Sequence, residues 1–103
     1  MSILDEVLVE EYDRCERIKQ VYLEKLRDLP IGSLSRKIIK GRPYFYLQYR
    51  DGKKVVSQYV PKEDVEVLQK LIEDRRQYQK GVRRCEADQK KIRKAVGSLI
   101  EEL

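Results

Sequence analysis

The chain is 103 residues long; 40% of them are charged, 8% are aromatic, and the formal net charge is +5. That is the length of one small domain with a thin core, and its excess of base over acid favours anionic partners: nucleic acid, membrane phosphate or an acidic protein face. No apolar run approaches the ~20 residues of a transmembrane helix.

The opening "MSILDEVLVEEY" lacks the basic stretch and small-residue cleavage site of a secretory signal. Two cysteines seventy residues apart suit reduced thiols. A soluble cytoplasmic protein with no membrane partner is expected. Residues 3–29 carry apolar side chains at helical spacing, and "LPIG" (Leu29 to Gly32) stops them, because the residue before proline avoids the helical region. β-Branched and aromatic runs follow, broken at Gly41 and at Asp51-Gly52. They predict strands at 34–40, 43–50 and 53–60, a three-stranded antiparallel meander within 33–60. Residues 62–103 return to helical spacing, with Pro61 where a first-turn proline is tolerated and Glu63, Asp64 and Glu66 at the positive end of the macrodipole.

The two helical segments carry heptad seams. In the first the seam is Leu4, Leu8, Glu11, Cys15, Ile18, Tyr22, Lys25 and Leu29; in the second it is Leu68, Leu71, Arg75, Tyr78, Val82, Cys85, Gln89, Ile92, Val96, Leu99 and Leu103. Run antiparallel, with facing numbers adding to 100, Cys15 meets Cys85, Tyr22 meets Tyr78, Glu11 meets Gln89 and Lys25 meets Arg75. The predicted fold is therefore α+β in the order α-β-β-β-α. It is a single domain in which a long, coiled-coil-like antiparallel helical hairpin carries the three-stranded meander at its tip. Two helices bury one stripe each, so a homodimer through this stem is a further expectation.

Residue types argue against catalysis. There is no histidine, which removes the commonest general base and metal ligand. The two distant cysteines lack a histidine partner, and the five glycines form no phosphate-cradling motif. No enzyme activity, metal or cofactor is expected. Charge discriminates better. Residues 30–62 hold Arg36, Lys37, Lys40, Arg42, Arg50, Lys53, Lys54 and Lys62 against Asp51 alone, more than the whole net charge of the molecule. Alternation puts Phe45, Leu47 and Tyr49 on one side of the middle strand and Tyr44, Tyr46, Gln48 and Arg50 on the other. If Asp51-Gly52 is a two-residue turn, Tyr44 faces Tyr59, Tyr46 faces Ser57 and Phe45 faces Gln58. Phe45, Leu47 and Val56, with Ile38 or Ile39, form the buried side against the helix ends. Tyr44, Tyr46, Arg50 and Tyr59 are then the outward face, with Lys37, Lys40, Arg42, Lys53 and Lys54 around them: aromatic platforms for bases and cations for phosphates. The basic flank of the second helix, Arg75 to Lys94, is expected to pair with Glu10, Asp13, Glu16 and Glu24 of the first, and offers a weaker phosphate track.

The segment "LPIGSLSRKIIKGRPYFYLQYRDGKKVVSQYVPKEDVEVLQKLIEDR" resembles a family of small uncharacterised proteins of Gram-positive bacteria, their phages and mobile elements. The carrying features are Gly-Ser, a basic strand, an aromatic triplet, Gln-Tyr-Arg, a lysine-bearing turn, Ser-x-Tyr and a charged helix. In outline the sheet and following helix are similar to the arm-type DNA-binding domains of integrases. The resemblance transfers no site residues. It says almost nothing of function. The basic tyrosine sheet leads to the expectation of a non-enzymatic module engaging nucleic acid or a nucleic-acid–protein complex. The alternative is a phage- or mobile-element-encoded inhibitor or adaptor acting by protein contact, for example against a nuclease complex. A purely structural dimerisation unit is the third expectation.

Overall fold

A computed structural model describes residues 2–97. Their order is α1 (Ile3–Arg27), β1 (Ser33–Ile39), β2 (Arg42–Asp51), β3 (Lys54–Val60), a 3₁₀ turn (Lys62–Asp64) and α2 (Val65–Val96). The α-β-β-β-α order is as predicted. The chain divides into two compact units: α1 with α2 from Gln77 onward, and Leu29–Arg76. No helix among the described residues is long and apolar enough to cross a membrane.

In the helical unit, α1 begins on an N-cap: the Ser2 hydroxyl accepts from the Asp5 N–H at 3.1 Å, and Asp5 and Glu6 lie at the positive end of the dipole. It ends at Arg27, two residues before the prediction. The helices run antiparallel, since Tyr22 meets Tyr78 (ring centroids 5.6 Å apart), Cys15 and Cys85 line one cavity, and Gln89 bonds to Tyr12 and Glu16. Cys15, Cys85, Gln89 and Ile92 are buried. Three predicted seam positions move. Leu4 is 67% exposed. Lys25 is exposed while Leu26 is half-buried, and its Nζ sits 5.7 Å from the Tyr78 ring centroid. Glu11 turns to Arg14 at 2.9 Å within its own helix and leaves Gln89 to other partners. α2 closes at Gly97, whose φ of 66° and N–H bond to the Arg93 carbonyl (2.9 Å) make a left-handed cap. The predicted stretch from 98 to 103, with Leu99 and Leu103, lies outside the described residues.

The second unit holds the sheet, ordered β1-β2-β3 and antiparallel throughout. The β1–β2 link is Lys40-Gly41, with φ of 52° and 79°, the two positive values of a type I′ turn. The β2–β3 link is Gly52-Lys53, with a positive φ (63°) only at Gly52, as in type II′. The predicted Asp51-Gly52 turn is thus displaced by one residue, and the register with it by two: Tyr46 pairs with Tyr59, Leu47 with Gln58 and Phe45 with Val60. A shift of two preserves the face of every side chain. Phe45, Leu47 and the half-buried Val56 therefore remain on the inner side, where Val60 and Leu34, not foreseen in the sequence, join them. There Val60 and Ile72 are buried, Leu34 and Ile72 border one small cavity, and Leu47, Val60, Leu68 and Leu71 border another. Ile38 and Ile39 do not join this core, being 67% and 46% exposed. They pair with Pro43 and Arg42, beyond the point where β3 ends. Gly32 (φ 127°) admits the chain into β1, because a Cβ there would collide with the Gln48 carbonyl oxygen. The second helix starts later than predicted: Pro61 precedes the 3₁₀ turn and its carbonyl accepts from Asp64 at 2.9 Å.

Candidate functional site

The outer face of the sheet gathers three tyrosines and a lysine. Tyr46 and Tyr59, directly paired across strands, have ring centroids 6.0 Å apart in an edge-on arrangement. Tyr44, diagonal to Tyr59, is 6.5 Å away with planes tilted by 52°. Lys37 reaches across from β1 to place its Nζ 5.0 Å from the Tyr46 centroid. Edge-to-face pairs and a cation over a ring each contribute about 0.5–1.5 kcal/mol beyond area burial, so the cluster holds its own geometry. Gln48 donates to the Ser57 hydroxyl at 3.2 Å farther along the same face. Tyr44 and Tyr46 are half-buried and Tyr59 is 54% exposed.

The other predicted residues are spread along the sheet rather than around this cluster. Arg42 shares the tyrosine face and lies beside the β1–β2 turn, which holds Lys40. Arg50 is exposed at the opposite end of β2, roughly 27 Å from Arg42 at ~3.4 Å per residue. Lys53 lies in the second turn, and Lys54 falls on the inner side, paired with Asp51. The geometry thus joins Tyr44, Tyr46, Tyr59 and Lys37 closely, adds Arg42 at one end, and leaves Arg50 and Lys53 as a separate basic end.

Beside the cluster is a cavity of about 440 Å³ lined by Arg42, Pro43, Tyr44, Phe45, Tyr59, Val60 and Lys62. Its origin is topological. β3 pairs with β2 only from Phe45 onward, so Arg42–Tyr44 have no β3 partner and a notch opens there. Pro43, which has no N–H to donate, suits a strand position without a neighbour. In the sequence Lys62 contributes only to the charge of the segment; its place in the cavity follows from the end of β3 at Val60.

The helical unit holds polar clusters that periodicity alone did not reveal. Gln89, 3% exposed, accepts from Lys19 at 3.2 Å and donates to Glu16 at 3.0 Å and to the Tyr12 carbonyl at 3.5 Å. Lys19 and Glu16 also pair at 2.8 Å. The Lys19 ammonium, then the Gln89 amide, hold the Glu16 carboxyl down from 4.5 to about 2. Arg93 donates to the Tyr12 hydroxyl at 2.6 Å and lies over its ring. Hydrogen bonds between helices run through these groups, and the ion pairs Arg14–Glu11, Lys70–Asp74 and Arg76–Glu73 each lie within one helix. Burial raises the Cys15 thiol pKa above its ordinary 9.0.

Comparison with known proteins finds no match among curated proteins or solved structures. A family model does match, over α1, the whole sheet and the start of α2. Residues 5–70, more than half of the chain, match the model described as Domain of unknown function (DUF6788), and the chain belongs to that family.

Proposed function

We propose that this protein is a non-enzymatic binding module whose basic tyrosine sheet engages nucleic acid. The reading is carried by one observation: Tyr44, Tyr46 and Tyr59 are clustered on the outer face of the sheet with Lys37 over one ring, in a segment holding eight cations and a single acid. Aromatic rings offer stacking surface to any base, and one-sign charge along a strand neutralises phosphates. The spread of cations over the length of β2 supports contact with several phosphates rather than one.

The test is anisotropy of a labelled oligonucleotide against the full chain over a range of salt. With about 4–6 phosphates neutralised, the logarithm of affinity falls linearly with that of salt, with a slope of roughly −3 to −5. Combining Lys37→Ala with Tyr59→Ser should weaken binding at least tenfold while the helices still form. Because it also removes two ring pairs and a cation–ring contact, a melting point lower by several degrees is expected, and binding is compared at a temperature where both proteins are folded. A flat salt response, or no binding to DNA or RNA at low salt, rejects the reading and favours an inhibitor acting by protein contact.

A further inference from the structure

Resting on the reading of this sheet as a nucleic-acid surface, we infer that the notch beside β2 is a pocket for one unstacked nucleotide, which makes single-stranded nucleic acid the ligand class. The three tyrosines are not equivalent platforms. Tyr46 is half-buried, with Lys37 over its ring and an edge-to-face contact to Tyr59, so less of its surface is open to a ligand. Tyr59, the most exposed of the three, and Tyr44 instead line the notch.

The cavity is of ligand size: about 440 Å³, against ~300–1,000 Å³ for small-molecule pockets. Its lining divides by chemistry. Tyr44, Tyr59, Phe45, Pro43 and Val60 offer aromatic and apolar surface for a base and sugar; Arg42 and Lys62 supply the cations for a phosphate. Among the described residues no acidic side chain lines it, unlike the neighbouring cavity that includes Asp64. Charge complementarity therefore selects an anion that carries a flat apolar group. A base inside a duplex is stacked on both sides and paired at its edge, and must be unpaired before it can enter. A single strand presents its bases without that cost.

The experiment measures binding of three labelled probes to the full chain at one salt concentration: a short oligothymidylate, a strand of the same length lacking its bases, and a duplex of that length. The single strand should bind at least tenfold tighter than the duplex, and removal of the bases should cost roughly 5- to 100-fold, the range for one or more stacked bases. Tyr59→Ala should collapse the preference for single strands, Tyr59→Phe should keep it, and Lys62→Ala should lower the salt slope by about 0.7. Equal affinity for the single strand and the duplex, or full affinity for the baseless strand, overturns the pocket while leaving the surface reading standing. No binding to any probe removes both. The baseless probe uses the unaltered protein, so the outcome does not depend on any variant folding.

Discussion

Gly81 sits in the middle of α2, where a glycine is normally a cost. Alanine is favoured over glycine in a helix interior by about 1 kcal/mol, so Gly81→Ala would stabilise an isolated helix. In this protein a Cβ at position 81 falls inside contact distance of the Tyr22 ring. That ring is already held against Tyr78 at 5.6 Å and has little room to retreat. We expect Gly81→Ala to destabilise by about 1–2 kcal/mol net, the usual scale of overpacking, measured by urea denaturation. Tyr22→Leu in the Gly81→Ala background should recover part of the loss, because it removes the atoms in conflict. A stabilised Gly81→Ala protein would show that the tyrosine layer is loose.

Among elements, the β2–β3 hairpin shows where sequence reasoning succeeds and where it stops. Alternation alone assigned Tyr44, Tyr46 and Tyr59 to one face and Phe45 and Leu47 to the other, and the structure agrees, because a pleat has a period of two whatever the register. Register depended on which glycine position the turn uses. Asp51-Gly52 reads as a two-residue turn, but Gly52-Lys53 fits type II′ with glycine in the first place, and the burial of Val60 beside Phe45 accompanies that register. A double-mutant cycle separates the two: Phe45 and Val60 should couple by about 0.5–1 kcal/mol, and Phe45 and Gln58 by almost nothing. Along the helices, the periodic positions Cys15, Tyr22, Tyr78, Cys85 and Ile92 were legible for the same geometric reason. Glu11 was not, since a carboxylate can choose a partner one turn away, and Arg14 competes successfully with Gln89. The notch was invisible because it is defined by where β3 ends, a property of no single residue.

For the molecule as a whole, the absence of histidine in 103 residues removes the side chain that ordinarily titrates between about pH 5 and 8. Its acid sensitivity falls lower. The folded Glu16 carboxyl is depressed from 4.5 to about 2, so between those values the unfolded chain binds the extra proton. Stability from this group is therefore complete above pH 4.5 and is lost as pH falls toward 2. Glu16 is 43% exposed, so solvent screens the effect, and about 1 kcal/mol or less is expected. Thermal melts from pH 5 to pH 2.5 should show a smaller drop in Glu16→Gln than in the parent protein. An identical drop would assign the acid sensitivity elsewhere. Lys19 is raised from 10.5 by the same pair, so its contribution is present below that value and fades only above it.

The two buried thiols also give the protein an internal clock. Cys15 and Cys85 are 4% and 7% exposed, and both border a cavity of about 200 Å³ that also touches Tyr22 and Gly81. A thiol reagent attacks the thiolate, and Cys15 resists forming one because burial penalises its charge. Modification must therefore wait for α1 and α2 to part. The rate at which an aromatic disulfide reagent titrates the native protein counts those openings, and it does so at the layer next to the tyrosines, with no label added and no change to the sequence.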